Sequence, residues 1–211
     1  IAPVLQQLLT SAHFFDGQVR GARIKSPVEL VAGMVNETAR PLNADQLRFL
    51  KNIISFMEQN LLNPPNVAGW PGYRTWISTT SLPIRYLVTD FLLFGNNDNE
   101  IADLVGLARS LPEAADPYAA FRLPEALARY LVPVPPEQLD IGSVTEPFGG
   151  DLVSNPIPDD ILNGPPHVLN LAKVFLAGIP WYEWDIDNAQ APVLLVLFAR
   201  YLTQMPEFHL T

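Results

Sequence analysis

The chain has 211 residues, 48% of them hydrophobic, which is enough for one generous domain and excludes global disorder. Its formal net charge is −9 with no cluster of Lys and Arg, which excludes the basic footprint that a nucleic-acid partner requires. It has no cysteine, so disulfides, thiolate metal sites and cysteine nucleophiles are excluded too.

In chain order, residues 2–15 place Val4, Leu5, Leu8, Leu9 and Ala12 at helical spacing. The chain opens at Ile1 without a signal-peptide pattern, so it is expected to be the C-terminal part of a longer protein; if the cut falls inside a domain, the first helix exposes apolar surface that the preceding part covers. "SPVELVAGMVNETAR" offers Ser26 as N-cap, Pro27 at the first helical position and Glu29 at capping-box spacing. Asn43 caps a predicted helix with apolar positions Leu47, Leu50, Ile54, Met57 and Leu61, which Pro64 and Pro65 should stop. Thr80 or Ser81 starts "LPIRYLVTDFLLF", and Gly95 fits its end. "NDNEIADLVGLARSL" and "DPYAAFRLPEALARYL" read as two more helices, the second kinked or split at Pro124. Residues 166–178 and 189–204 complete the set. The apolar window 191–202 is too short to span a bilayer and contains Arg200.

Residues 133–166 hold eight of the 21 prolines and no helical period, yet carry Leu139, Ile141, Val144, Phe148, Leu152 and Ile157. A free linker has no use for so many apolar groups. The expected fold is therefore all-α: an irregular bundle of seven to nine helices, one domain over 1–211, with an ordered Pro-rich excursion over 133–165.

The densest stretch is "NPPNVAGWPGYRTWISTTSL", residues 63–82. Gly69 and Gly72 permit positive φ around Trp70-Pro71. Trp70 and Trp76 either plug the space between flanking helices or, with Tyr73, Arg74 and Asn66, form a platform that stacks a sugar or planar group. Ser78, Thr79 and Thr80 have no identifiable base nearby, which argues against a nucleophile.

This stretch resembles a signature of the bacterial domain of unknown function 1800 family: Pro64-Pro65, Gly69-Trp70-Pro71-Gly72, then Trp76-Ile77. "LLTSAHFFDGQVRGARIKSPVELVAG", with Lys25, Ser26, Pro27 and Glu29, and "YLTQMPEFHLT", with Met205, Pro206, Glu207 and Phe208, resemble two further family segments. The resemblance implies a largely helical, exported protein of the periplasm or cell envelope. It also implies a neighbouring partner similar to sulfatases and alkaline phosphatases, and it supplies no catalytic residues.

The tests for chemistry return no constellation. His13, His167 and His209 lack metal-ligand spacing, and the acids Asp185 and Asp187, or Asp98 and Glu100, do not continue into a calcium loop. No cofactor motif is present. Paired carboxylates for acid–base work are Asp159-Asp160, or Glu183 with Asp185 among Trp181, Tyr182 and Trp184; the plainer reading of the second set is a helix connection with its acids in water. Lys25 and Glu29, four apart, either pair across one turn or line a cleft with the Trp70 loop.

The leading functional expectation is a non-catalytic exported module that binds a partner protein or a glycan. The alternative is part of a hydrolase acting on carbohydrate or envelope material, its site completed by an N-terminal portion; a purely structural envelope protein is a third. The candidate ligand-binding residues are Asn66, Trp70, Tyr73, Arg74 and Trp76 with Lys25 and Glu29. A glycan platform predicts exposed, coplanar indoles. A protein-binding module predicts an open apolar patch without convergent polar groups.

Overall fold

The computed structural model describes residues 1–95, 101–142, 144–145 and 147–211. Among these residues there are nine α-helices and no strand: α1 (Ala2–Leu9), α2 (Pro27–Thr38), α3 (Ala44–Phe56), α4 (Ser81–Phe94), α5 (Val105–Ser110), α6 (Ala119–Leu131), α7 (Asp159–Leu162), α8 (Pro166–Leu176) and α9 (Ala191–Thr203). The fold is all-α. The caps decide several boundaries. Ser26 and Glu29 close a full capping box at α2, and Asn43 with Gln46 closes another at α3. Gly95, at φ +69°, ends α4.

The bundle is built by successive pairings. The main pairs are α2 with α4, α4 with α9, α9 with α8, and α8 with α6. The shared core is drawn from Val88 and Leu92 on α4, Phe121 and Leu127 on α6, Phe175 on α8 and Phe198 on α9, all essentially inaccessible to solvent. Burial of such side chains stabilises by about 1.5–3 kcal/mol each, and it holds together helices that are individually too short to be stable alone.

Three expectations change. The helix after Asn43 stops at Phe56, well before Pro64, because Glu58 turns left-handed at φ +67° and the Gln59 side chain accepts a hydrogen bond from Val28 N at 2.8 Å. A tertiary tie to the start of α2 thus overrides the apolar repeat, and Leu47 and Leu61 stand exposed. Pro124 does not split α6, which runs through it. The proline forfeits one backbone hydrogen bond, while its own ring and the surrounding face are buried. The helix expected from residue 97 is confined, among the described residues, to Val105–Ser110. Ala102 N bonds instead to Leu93 O at 2.7 Å, which ties this segment to the end of α4.

The Pro-rich excursion is pinned along its length. Leu139 is buried, and Ile141, Phe148 and Ile157 pack on the core. Lys173 Nζ donates to Val144 O at 2.9 Å, Trp181 Nε1 donates to Asn155 O at 3.2 Å, and Asp151 N donates to the Tyr182 hydroxyl at 2.9 Å. At Gly149 the chain crosses the α8–α9 connection so closely that a Cβ would lie 2.0 Å from Gly178 O. No helix among the described residues is long and apolar enough to cross a membrane.

Candidate functional site

Three parts of the molecule gather chemistry-bearing residues. The first joins the three sequence signatures. Arg85, a fully buried residue of α4, donates from Nε to Trp76 O at 3.2 Å and from Nη2 to Lys25 O at 2.6 Å. Ser81 Oγ also donates to Trp76 O, at 2.9 Å. Lys25 Nζ donates to Phe208 O at 2.7 Å and sits 4.1 Å from the Phe208 ring centroid. Backbone pairing continues the junction, with Lys25 N donating to His209 O and Thr211 N to Arg23 O. One guanidinium thereby ties the Lys25 segment, the Trp76 turn and, through Lys25, the C-terminal turn at Pro206–His209.

Electrostatics at this junction are dominated by burial. Burial pushes the Lys25 ammonium down to about 8, with Arg85 adding to the effect and Glu37 and Glu29 opposing it. Burial, then Arg85 and Lys25, pushes His209 down to about 4, so its ring is neutral near neutral pH. Burial also lowers Arg85, to about 10. Arg85 Nη1 and both His209 ring nitrogens are enclosed without a hydrogen-bond partner. The arrangement is a clamp on backbone carbonyls, with Arg85 and His209 buried and Lys25 half-buried.

The proposed ligand residues divide here. Trp76 is buried at 6% exposure, whereas Trp70 is half-buried with its indole N–H enclosed and unpartnered. The two indoles therefore do not present a pair of open faces. Asn66, Tyr73 and Arg74 are exposed, with the Arg74 guanidinium 5.6 Å from the Tyr73 ring centroid. Lys25 and Glu29 do not clip to each other: Glu29 takes Arg23 through both carboxylate oxygens and caps Ser26 N. Burial acts to raise the Glu29 carboxyl, but the hydrogen bonds from Arg23 and Ser26 overcome it and hold the group below the usual carboxylate range. Arg85 is the residue that sequence reasoning missed. Its signal was an arginine on the face of α4 that also carries Ser81, Val88 and Leu92.

The second gathering is a cleft of about 540 Å³ between α6, α7 and α8, floored by Leu111, Ile161 and Val168. Its rim combines Glu113, Arg122, Glu125, Arg129 and Asp160. Arg122 reaches Asp116 at 3.5 Å and Asp160 at 3.4 Å, and Arg129 pairs with Glu125 at 2.7 Å. His167 Nε2 lies 3.6 Å from Glu125. Of the carboxylates singled out from the sequence, Asp160 belongs to this cleft. The aromatic set behaves differently: Trp181 packs on Phe121 and Trp184 on Phe175, while Glu183 and Asp185 are exposed.

The third is apolar. Helix α1 buries none of its residues, and Val4, Leu5, Leu8, Leu9, Phe14 and Phe15 are exposed along it and the following 3-10 turn.

His13 is exposed, His167 half-buried and His209 buried, and no group of three or more His, Asp or Glu among the described residues is placed to hold a metal ion. Asp98 and Glu100 lie outside the described residues.

No curated protein and no solved structure matches the chain. Residues 1–193 match the family described as Protein of unknown function (DUF1800). That span takes in the Lys25 segment and the Trp70 loop, two of the three segments that Arg85 and Lys25 tie together, and the chain belongs to the DUF1800 family.

Proposed function

We propose that this chain is a non-catalytic, exported helical module that docks on a partner protein through the apolar face of residues 1–19. The observation that carries the reading is α1, an eight-residue helix with no buried residue and with Val4, Leu5, Leu8 and Leu9 open to solvent. A helix this short is marginal in water without tertiary packing. A continuous apolar surface of this kind is a common mark of an interaction site. An amphipathic helix laid in a partner's groove satisfies both conditions. The partner in this proposal is the phosphatase- or sulfatase-like protein that the family resemblance implies.

The test mixes the purified chain with that partner and measures complex formation by light scattering. Leu5→Glu with Leu9→Glu should abolish the complex and leave the melting temperature unchanged, because neither side chain is buried in the isolated chain. A complex that survives both substitutions, or no complex with the unmodified chain, sinks the reading. Cell fractionation tests export.

A second reading, hydrolysis of carbohydrate or envelope material, draws support from the carboxylates Glu113, Glu125 and Asp160 around one cleft. Glu125→Gln and Asp160→Asn should each remove any hydrolytic activity detected on envelope polysaccharides.

A further inference from the structure

We infer that the cleft between α6, α7 and α8 is a binding site for a neutral sugar chain, separate from both the Trp70 loop and the docking face of residues 1–19. Its volume, about 540 Å³, lies within the range of small-ligand sites. The apolar floor of Leu111, Ala126, Ile161 and Val168 suits the C–H face of a pyranose ring.

Charge disfavours an anionic ligand. Both guanidinium groups of the rim are already paired within the wall, Arg129 with Glu125 and Arg122 with Asp116 and Asp160. An anionic ligand would have to compete for those guanidinium groups at a rim where Glu113, Glu125 and Asp160 outnumber Arg122 and Arg129. A polyhydroxyl ligand can instead donate to the carboxylate lone pairs, and accept from the guanidinium N–H groups, that these pairs leave over. The Glu113 side chain is half-buried at the rim and has no partner among the described residues, so it is open to accept from a ligand hydroxyl.

An aromatic platform is also in place. Tyr130 lines the cleft with half its surface exposed, and the nearby Glu37 carboxylate raises its hydroxyl above the usual phenol range. A peptide fits less well. The main walls are helices whose backbone groups are satisfied internally, so they offer no edge for an extended chain.

The experiment is saturation-transfer NMR and calorimetry on the whole chain with maltotriose, cellotriose, mannotriose and chitotriose as neutral probes. Trigalacturonate and an end-blocked alanine–leucine dipeptide serve as the anionic and peptide probes. At least one neutral trimer should bind saturably, and Tyr130→Ala and Glu113→Gln should each weaken it about 10-fold, equivalent to about 1.4 kcal/mol. Tyr130→Phe, which keeps the ring, should weaken it less. Tyr73→Ala and Arg74→Ala, on the other loop, should leave it unchanged. Thermal melting of each variant reports whether the fold survives. Failure of all four neutral trimers overturns the inference. So does binding insensitive to Tyr130→Ala in a folded variant, or tighter binding of trigalacturonate or the dipeptide.

Discussion

Two long connections in this protein are rich in proline, and they are held in opposite ways. The loop from Leu61 to Thr80 is exposed over most of its length and is gripped at its far end, where Trp76 is buried and Arg85 and Ser81 share its carbonyl. The excursion over 133–165 is tied at intervals, by Lys173, Trp181 and Tyr182 from outside and by Leu139, Phe148 and Ile157 from within. Turn-forming residues are common to both. What separates them is whether neighbouring helices send donors and apolar surface to meet the chain. Order in an irregular segment is a property of those contacts, and composition alone does not carry it.

The sharpest way to break this contrast is at the crossing. Gly149→Ala puts a methyl group into the space of Gly178 O, and neither backbone can yield without lifting the excursion. Urea titration should record a loss of about 3 kcal/mol, at the upper end for overpacking. Arg85→Met, which keeps the bulk of the side chain and removes the donors, should cost about 2 kcal/mol by leaving Lys25 O unsatisfied and Trp76 O with Ser81 alone. Fluorescence of Trp76 should then become accessible to acrylamide.

A smaller effect depends on pH. His209 is held neutral in the fold to about pH 4, against an ordinary value of 6.5. The unfolded chain therefore binds a proton first on acidification, and stability falls as pH drops from 6.5 toward 4. The loss from this group between pH 7 and 5.5 is about 1 kcal/mol, and His209→Phe should flatten that part of the profile. An unchanged profile would show that His209 finds a partner in solution. Least of all, Tyr73→Ala and Arg74→Ala should each change stability by under about 0.5 kcal/mol, since both side chains are exposed. A larger loss would mean that the outer loop is anchored after all.

Much of the fold was readable from local chemistry. Ser26 with Glu29, Asn43 and Gly95 mark helix boundaries because capping is decided within a few residues. The scattered apolar residues of the excursion announced that it would be pinned, though nothing local revealed that Lys173 and Trp181 would hold it. The end of α3 was hidden for the same reason: the tie from Gln59 to Val28 spans 31 residues. In the cleft, the sequence singles out Asp160 as one of a pair, but not Glu113, Arg122, Glu125 or Arg129. On α6 the charges repeat at helical spacing, which is also how an ordinary solvated face looks. Only the approach of α7 and α8 turns that face into a wall. Arg85 is hard to read from the sequence because a single arginine in an apolar helix looks like an interruption, and its two carbonyl partners lie on other segments.

The bond from Lys25 to Phe208 joins residues 183 apart. During synthesis at about 5–20 residues per second, the Lys25 segment leaves the ribosome roughly 10 to 40 s before its partner exists. Until then Arg85 can find Trp76, nine residues away, but the final turn that covers the Lys25 junction is missing. The nascent chain thus carries an open seam while the 183 residues that follow Lys25, up to Phe208, are made, and closing it is a late folding event set by that separation. Substitutions at Phe208 or Leu210 should accordingly accelerate unfolding more than they slow folding.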